Sequence, residues 1–177
     1  AHYRDQVEAI DKVLEKQRVV TVEDVDRDAF GFYREGEHLI VQIMFVRGGR
    51  LEGARSFPLK DQAFSDEEIL SSFLNVYYNA NHHIPDEVLL PIELEQGEHD
   101  AFEEILRELK GSKVRLHTPK RGAKYALVET ANTNAQNAFE EAHEKEERTQ
   151  DLLEKLQNRL GLRNFPEQAI YAWEPGA

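Results

Sequence analysis

The stretch DAFGFYREGEHLIVQIMFVRGGRLEGARSFPL, residues 28–59, decides the fold class of this 177-residue chain. It holds three runs rich in aromatic and aliphatic residues, separated by a polar turn at 34–37 and a Gly-Gly pair at 48–49. A Gly-Gly pair between two such runs is a signal for a tight hairpin. The spacing therefore predicts an antiparallel meander of strands at 28–33, 38–46 and 50–58. The middle run is almost entirely apolar, which is typical of a strand buried on both faces.

Helices and strands alternate after this meander. Ser65, followed three residues later by Glu68, is a capping signature that opens a helix over 65–80. Periodicity and the positions of Pro and Gly predict the next elements: a strand at 86–91, a helix at 98–111, a strand at 113–118 and a long helix from about 121 to 161. Leu127, Ala131, Ala135 and Ala138 lie on one stripe of the long helix, which predicts close packing against a sheet.

Two further segments flank this pattern. An amphipathic helix is predicted at 3–17, and residues 169–173 form a strand-like run. After the first helix the order is β-β-β-α-β-α-β-α. This order predicts an α/β fold in which helices cover a mixed five-stranded sheet, with an N-terminal helix and a long C-terminal helix. It is the order of the ribonuclease H (RNase H)-like fold, and a fold of this kind implies no activity by itself.

The composition excludes several classes of protein. The chain has 34 acidic and 22 basic residues and a net charge of -12, which disfavours nucleic-acid binding over its whole surface. It has no cysteine, which excludes disulfides and thiolate metal sites and is compatible with the cytoplasm. No apolar run approaches the ~20 residues of a membrane span, and no signal peptide is evident. Because the chain starts inside a helical pattern and its only methionine is Met44, we expect a fragment of a longer cytoplasmic protein.

One window departs from the acidic composition. Residues 111–128 contain no Asp or Glu and hold five cations, here termed the basic corner: Lys113, Arg115, Lys120, Arg121 and Lys124. These side chains could offset the charge of the chain and protect an edge strand from aggregation. Alternatively, they contact DNA phosphates, because the turn at 119–122 directly precedes a helix whose free backbone N–H groups favour an anion. The sequence leaves both interpretations open.

Several segments together resemble the UvrC family. VQIMFVRGGRLEGARSFPL (41–59), FLNVYY (73–78), IPDEVLLP (84–91) and TPKRGAKYALVETANTNA (118–135) are similar, in order and spacing, to its central region. YRDQVEAIDKVLEKQRVV (3–20) resembles the end of the UVR motif, the helical hairpin by which UvrC meets UvrB, and the linker after it. LLEKLQNRLGL (152–162) resembles the stretch just before the family's catalytic domain.

The resemblance implies a role in bacterial nucleotide excision repair. UvrC proteins make both incisions, with an N-terminal GIY-YIG nuclease and a C-terminal RNase H-like nuclease followed by helix-hairpin-helix motifs. The implied partners are UvrB, DNA and the neighbouring catalytic domain of the same chain, and Val7, Ile10 and Leu14 form the candidate UvrB-docking face. The implied organisation is the end of a UVR-type helix at 1–18, a linker at 19–27, an RNase H-like domain at 28–147 and a C-terminal helix extension and tail at 148–177.

The acids of an active RNase H site are not found at their expected positions. Such a site holds two divalent metals ~4 Å apart with carboxylates from the first strand, the first helix and the fourth strand. Asp28 lies only at the edge of the first strand, and Glu67 and Glu68 suit the dipole at a helix start. The family's Asp-Ile-Ser-His motif is not reproduced either: residues 169–177 read AIYAWEPGA, with Glu174 near the place of the metal-binding Asp. We therefore predict no catalytic residue, no metal site and no cofactor.

Two other polar clusters are weak candidates for a metal site. The adjacent His82 and His83 fit a solvated loop better than a metal site, and the acidic run at 23–28 fits a charged linker better than a calcium loop.

Three functions remain open. The preferred function is a noncatalytic central module that positions the nuclease domains and contacts DNA phosphates. The alternatives are an active metal-dependent nuclease and an interaction module that docks UvrB.

Overall fold

The computed structural model describes residues 24–60, 63–80 and 82–163. The helix predicted at 3–17 and the strand-like run at 169–173 lie outside these residues. Within them, the order of elements is the predicted one, β-β-β-α-β-α-β-α. None of the described helices is long and apolar enough to cross a membrane.

The predicted meander forms the first three strands. β1 Arg27–Glu35 pairs antiparallel with β2 His38–Arg47, and β2 pairs antiparallel with β3 Arg50–Leu59. Gly48 and Gly49 turn the second hairpin with φ of 53° and 71°, values that glycine adopts without a steric penalty. The meander is confirmed, and each strand extends at most two residues beyond its predicted range.

The remaining elements complete a mixed sheet. They are α1 Asp66–Asn79, β4 Glu87–Leu89, α2 Gln96–Lys110, β5 Arg115–His117 and α3 Gly122–Leu160. β4 pairs in parallel with both β1 and β5, so the strand order is β3-β2-β1-β4-β5. This arrangement confirms the predicted α/β fold with a mixed five-stranded sheet.

Two hydrophobic cores cover the two faces of the sheet. The larger core joins the sheet to α1 and α2 and includes Phe30, Ile43, Leu74 and Leu106. The smaller core joins the sheet to α3 and includes Ala29, Met44, Leu89, Leu127 and Ala131. β2 is buried continuously from residue 39 to residue 44, as predicted for a strand covered on both faces. On α3, Leu127, Ala131 and Ala135 of the predicted stripe are buried, which confirms the close packing, while the fourth member, Ala138, is half-buried.

Capping hydrogen bonds and a left-handed glycine explain where two of the predicted helices begin and end. At the start of α1, the Glu68 backbone N–H donates to Ser65 Oγ at 3.3 Å, and the Ser65 N–H donates to Glu68 Oε2 at 3.0 Å. This reciprocal capping box satisfies N–H groups that have no helical acceptor. α2 ends at Gly111, whose φ of 74° is the left-handed conformation of a common helix terminator.

The chain divides into two compact units, Ala1–Ala138 and Phe139–Ala177. The first unit contains the sheet, α1, α2 and the start of α3, and the second contains the rest of α3. In the second unit, Arg148 pairs with Glu144 and Lys155 with Asp151, one helical turn apart in each case. Such exposed pairs support a solvated helix.

Candidate nucleic-acid interface

The basic corner lies on β5, on the turn after it and on the first turn of α3. Lys113 precedes β5, Arg115 is its first residue, Lys120 and Arg121 occupy the turn, and Lys124 lies in the first turn of α3. Lys124 is half-buried and the other four residues are exposed. No acidic residue lies in that first helical turn. The carboxylates that approach the corner therefore come from other elements.

Glu87, which sequence reasoning missed, lies beneath two of these cations. The register of the three parallel strands aligns Arg27 with Glu87, and Glu87 with Arg115. Because directly paired residues of neighbouring strands present their side chains on the same face, these three form one row across the sheet. Lys124 reaches the same carboxylate from α3.

Three cations surround the Glu87 carboxylate, whose side chain is 2% exposed. Arg27 Nε donates to Oε2 at 2.6 Å, Arg115 Nη2 lies 2.7 Å from Oε1, and Lys124 Nζ lies 2.9 Å from each oxygen. Burial alone would raise the pKa of Glu87, but the hydrogen bonds and charges of Lys124 and Arg27 outweigh it and hold the pKa below its ordinary value of 4.5. Glu87 is therefore ionised at neutral pH, and one negative charge faces three positive charges.

A second carboxylate, Glu93, pairs with Lys120 at the turn. Lys120 Nζ lies 2.6 Å from Glu93 Oε1, and the two side chains are 78% and 66% exposed. The pairing lowers the pKa of Glu93 and raises the pKa of Lys120. Because water screens an exposed pair, its contribution to stability is small. Within the described part of the chain, Lys113 and Arg121 form no ion pair.

Asp28 is enclosed between the sheet and α1. Its carboxylate is completely buried, with Arg47 Nη2 donating to Oδ1 at 2.7 Å and the Tyr78 hydroxyl donating to Oδ2 at 2.8 Å. Burial raises the pKa of Asp28, and the charge and hydrogen bond of Arg47 oppose this only in part. Both carboxylate oxygens are thus engaged by donors of the protein itself.

The histidine pair and the acidic run also have partners. Asp26 Oδ1 accepts a hydrogen bond from the Gly48 backbone N–H at 3.0 Å, and His83 Nε2 lies 3.2 Å from Asp26 Oδ2. His82 stacks on the ring of Tyr77 with the centroids 4.2 Å apart. Among the residues of known placement, no three His, Asp or Glu side chains are grouped as metal ligands would be.

The other sequence-predicted site residues fall into two groups. Glu68 belongs to the capping box, and Glu67 lies exposed in the first turn of α1. Val7, Ile10 and Leu14 of the predicted docking face, and Glu174 near the end, lie outside the described residues.

The sequence indicates that Glu87 needs a partner of opposite charge, but it does not indicate which residues are its partners. Glu87 lies directly before the apolar residues Val88, Leu89 and Leu90. A charged residue at the start of a buried strand requires a partner of opposite charge. That partner, Arg27, is 60 positions away, and Lys124 is 37 positions away on the other side. Only the tertiary structure identifies them, Arg27 through the order of the strands and Lys124 through the position of α3.

Comparison with known proteins decides the family. Residues 26–142 match the family model described as UvrC Ribonuclease H-like domain. The chain belongs to the UvrC family. UvrABC system protein C of Anaeromyxobacter sp. (strain Fw109-5) is 46% identical over 166 residues, which cover 94% of this chain and 23% of that protein. UvrABC system protein C of Geobacter metallireducens is 43% identical over 166 residues, covering 94% of this chain and 26% of that protein.

This UvrC-family chain spans about a quarter of the length of the curated relatives it matches. Among solved structures, a chain from the structure of the PCNA:RNase HII complex of Archaeoglobus fulgidus matches with a TM-score of 0.44 and 12% identity, covering 77% of this chain and 90% of that chain. The family match confirms the resemblance to UvrC and the RNase H-like fold class that the sequence predicts.

Proposed function

We propose that this domain is a noncatalytic module of a UvrC-type nuclease of nucleotide excision repair. It positions the nuclease domains and contacts DNA phosphates through the basic corner. The observation that carries the proposal is that the buried acids of the sheet are engaged by protein donors: Asp28 by Arg47 and Tyr78, and Glu87 by three cations. Carboxylates held in this way are not free to share divalent metal ions, as metal-dependent phosphoryl transfer requires.

The charge of the basic corner supports the contact with DNA. Five cations meet two carboxylates in ion pairs there, Glu87 and Glu93, and a third carboxylate, Glu103, accepts from the Leu116 backbone N–H at 2.7 Å. The fully buried Arg27 takes part of the Glu87 charge. The corner is therefore positive on a chain whose net charge is -12. Phosphate contacts made by such a surface release counterions and carry no base information, so binding is salt-dependent and independent of sequence.

UvrB and the neighbouring catalytic domain are the proposed protein partners. The curated relatives bear the name of one component of the UvrABC system, which supports UvrB as a partner. The proposed docking face is Val7, Ile10 and Leu14, in the UVR-type segment 1–18. The linker at 19–27, the RNase H-like domain at 28–147 and the extension at 148–177 are parts of the same proposal, as is action on DNA in the cytoplasm.

A nuclease assay separates this proposal from an active nuclease. The purified chain is incubated with supercoiled plasmid and with labelled duplex DNA in the presence of Mg²⁺ or Mn²⁺. We expect no cutting above the background without protein. Metal-dependent cutting that is lost in an Asp28→Asn variant would overturn the noncatalytic role.

A binding titration tests the contact with DNA. Fluorescence anisotropy with two duplexes of unrelated sequence, from ~50 to ~200 mM salt, should give the same affinity for both and a linear fall of log affinity with log salt concentration. The variant Lys113→Gln/Arg121→Gln should lower both the affinity and the slope. Arg148→Gln/Lys155→Gln, on the second unit, removes the same charge and serves as the matched control. An equal loss in both double variants, or no binding by the wild-type chain, would contradict the contact.

A further inference from the structure

We infer that Glu87 is a positioning residue for phosphate binding: it anchors Arg115 and Lys124 from below, so that their outward donors together receive one phosphate of the nucleic-acid backbone. This inference rests on the proposed function, because it states how the basic corner would hold its ligand. It singles out two of the five cations, Arg115 and Lys124, and adds a carboxylate that belongs to a different strand.

Arg115 is anchored at one end and open at the other. Its Nη2 lies 2.7 Å from Glu87 Oε1, while the side chain as a whole is 59% exposed. No other hydrogen bond or ion pair of this side chain is found in the described ranges. A guanidinium holds its five donors in a rigid plane, so fixing one nitrogen also sets the direction of the others. An arginine oriented in this way loses less conformational entropy on binding an anion than a freely rotating one.

Lys124 is held by the same carboxylate from the helix side. Its Nζ lies 2.9 Å from both oxygens of Glu87, and its side chain is 30% exposed. A lysine in the first turn of a helix opposes the partial positive charge of the helix start, so this position needs a nearby anion. Glu87 supplies one negative charge for the lysine, the helix start and Arg115 together.

On the exposed side of Glu87, the positive charge of Arg115 and Lys124 therefore exceeds the negative charge of the carboxylate. Arg27, which is completely buried, binds the carboxylate at the shortest distance, 2.6 Å. Arg115 and Lys124 cover the carboxylate, so an anion from solvent meets these two cations before it meets Glu87. A phosphate oxygen suits both partners, because arginine and lysine form short charge-assisted hydrogen bonds with phosphate.

Lys120 and Glu93 provide the internal contrast. Both side chains of this pair are mostly exposed, and no other cation is found on Glu93 within the described residues. A phosphate must therefore compete with Glu93 for the same exposed lysine. Glu87 is buried beneath its cations and supports phosphate binding, whereas the exposed Glu93 competes with phosphate for its lysine.

Two isosteric substitutions with opposite expected effects test this difference. Glu87→Gln and Glu93→Gln each remove one negative charge, and general electrostatics predicts tighter DNA binding in both variants. The positioning role predicts instead that Glu87→Gln binds duplex DNA more weakly, on the order of tenfold, with a smaller salt slope. Glu93→Gln should bind as tightly as the wild-type chain or more tightly. The readout is the anisotropy titration over the same salt range.

Arg115→Lys supplies a second test that does not alter the buried carboxylate. It keeps the charge at an exposed position, so the thermal unfolding curve should not change. Because a lysine that pairs with Glu87 has no rigid fork to offer a phosphate, binding should weaken severalfold. Lys113→Arg is the matched control, since it exchanges the same two residue types at an unpaired position, and it should not weaken binding. If Glu87→Gln is unfolded by circular dichroism, Arg115→Lys decides the question.

The outcomes separate the inference from the proposed function. If the wild-type chain binds DNA and the Lys113/Arg121 double variant binds less, but Glu87→Gln and Arg115→Lys bind as the wild type does, the positioning role is wrong and the DNA contact stands. Tighter binding by Glu87→Gln also overturns the role, because Glu87 then competes with phosphate. If the wild-type chain shows no salt-dependent binding, the proposed DNA contact itself fails.

Discussion

Gly31 of β1 and Ala131 of α3 meet backbone to backbone: a Cβ placed on Gly31 would lie 2.1 Å from the carbonyl carbon of Ala131. At the next position, the Phe32 backbone N–H donates to Asn132 Oδ1 at 2.9 Å. β4 pairs only with the first three residues of β1, so this part of β1 has no strand neighbour on that side. α3 therefore takes the place of a strand there, and the missing side chain of Gly31 permits the close approach.

Gly31→Ala should destabilise the domain strongly. Overpacking a core usually costs about 1–3 kcal/mol, and here the obstructing atoms are backbone, which cannot rotate away. Urea unfolding followed by circular dichroism measures the change. Gly53→Ala on β3 is the matched control, because a Cβ there meets no atom within 4 Å. Equal stability of the two variants would contradict the close contact.

Asn132→Ala should also lower the free energy of unfolding. It leaves the half-buried Phe32 N–H without its acceptor, at an expected cost of about 1 kcal/mol, because this hydrogen bond is only partly shielded from water. Asn137→Ala, an exposed position on the same helix, should change stability by less than about 0.5 kcal/mol. Faster hydrogen exchange of the Phe32 amide in Asn132→Ala alone would locate the effect. Unchanged exchange of that amide would speak against the bond.

Tyr78→Phe tests the network around Asp28. The substitution leaves Asp28 Oδ2 buried without its donor, so we expect a loss of about 1–3 kcal/mol. Tyr77→Phe is the control, because no hydrogen bond of the Tyr77 hydroxyl occurs within the described residues. Burial raises the pKa of Tyr77 to about 12, so its hydroxyl stays neutral over the usual pH range. Urea midpoints that fall equally in both variants would show that ring packing, not the hydroxyl, stabilises this site.

The stability supplied by Glu87 should depend on pH in a defined direction. Its pKa in the folded protein lies below the ordinary value of 4.5, so its ionised form stabilises the fold. This contribution is complete above pH 4.5 and is lost as the pH falls through the lower, folded value. The difference in the free energy of unfolding between the wild-type chain and Glu87→Gln should therefore shrink as the pH falls below 4.5. Urea unfolding at a series of pH values measures it, and a constant difference would contradict the assignment.

Local patterns were sufficient for most of the fold. The meander, the capping box at Ser65 and the helix end at Gly111 occur where the sequence predicts them, because hairpins and caps depend on residues that are close in the chain. The small residues of α3 likewise indicated close packing against the sheet. Its partner at the closest point, Gly31, could not be read from the helix, because it depends on how α3 crosses the sheet.

The ionic networks could not be predicted in the same way. Arg27, Glu87 and Arg115 lie on three strands and become neighbours only through parallel pairing across the sheet. Asp28 stood out at the edge of a strand, but its partners Arg47 and Tyr78 come from a different strand and from α1. Patterns along the chain report which face a residue occupies and which strands a hairpin joins, but they do not report which strands become parallel neighbours across the sheet.

The sequence by itself determined the order of elements and the run of cations from Lys113 to Lys124, because both are properties of neighbouring residues. Only the tertiary structure decided that Glu87, Glu93 and Glu103 bring their carboxylates to this acid-free window. Hydrophobic periodicity sets secondary structure locally, whereas an ion pair forms only where the folded chain brings opposite charges within a few ångströms of each other. The basic corner thus contains no acid along the chain, while three of its five cations pair with carboxylates from other elements in the folded domain.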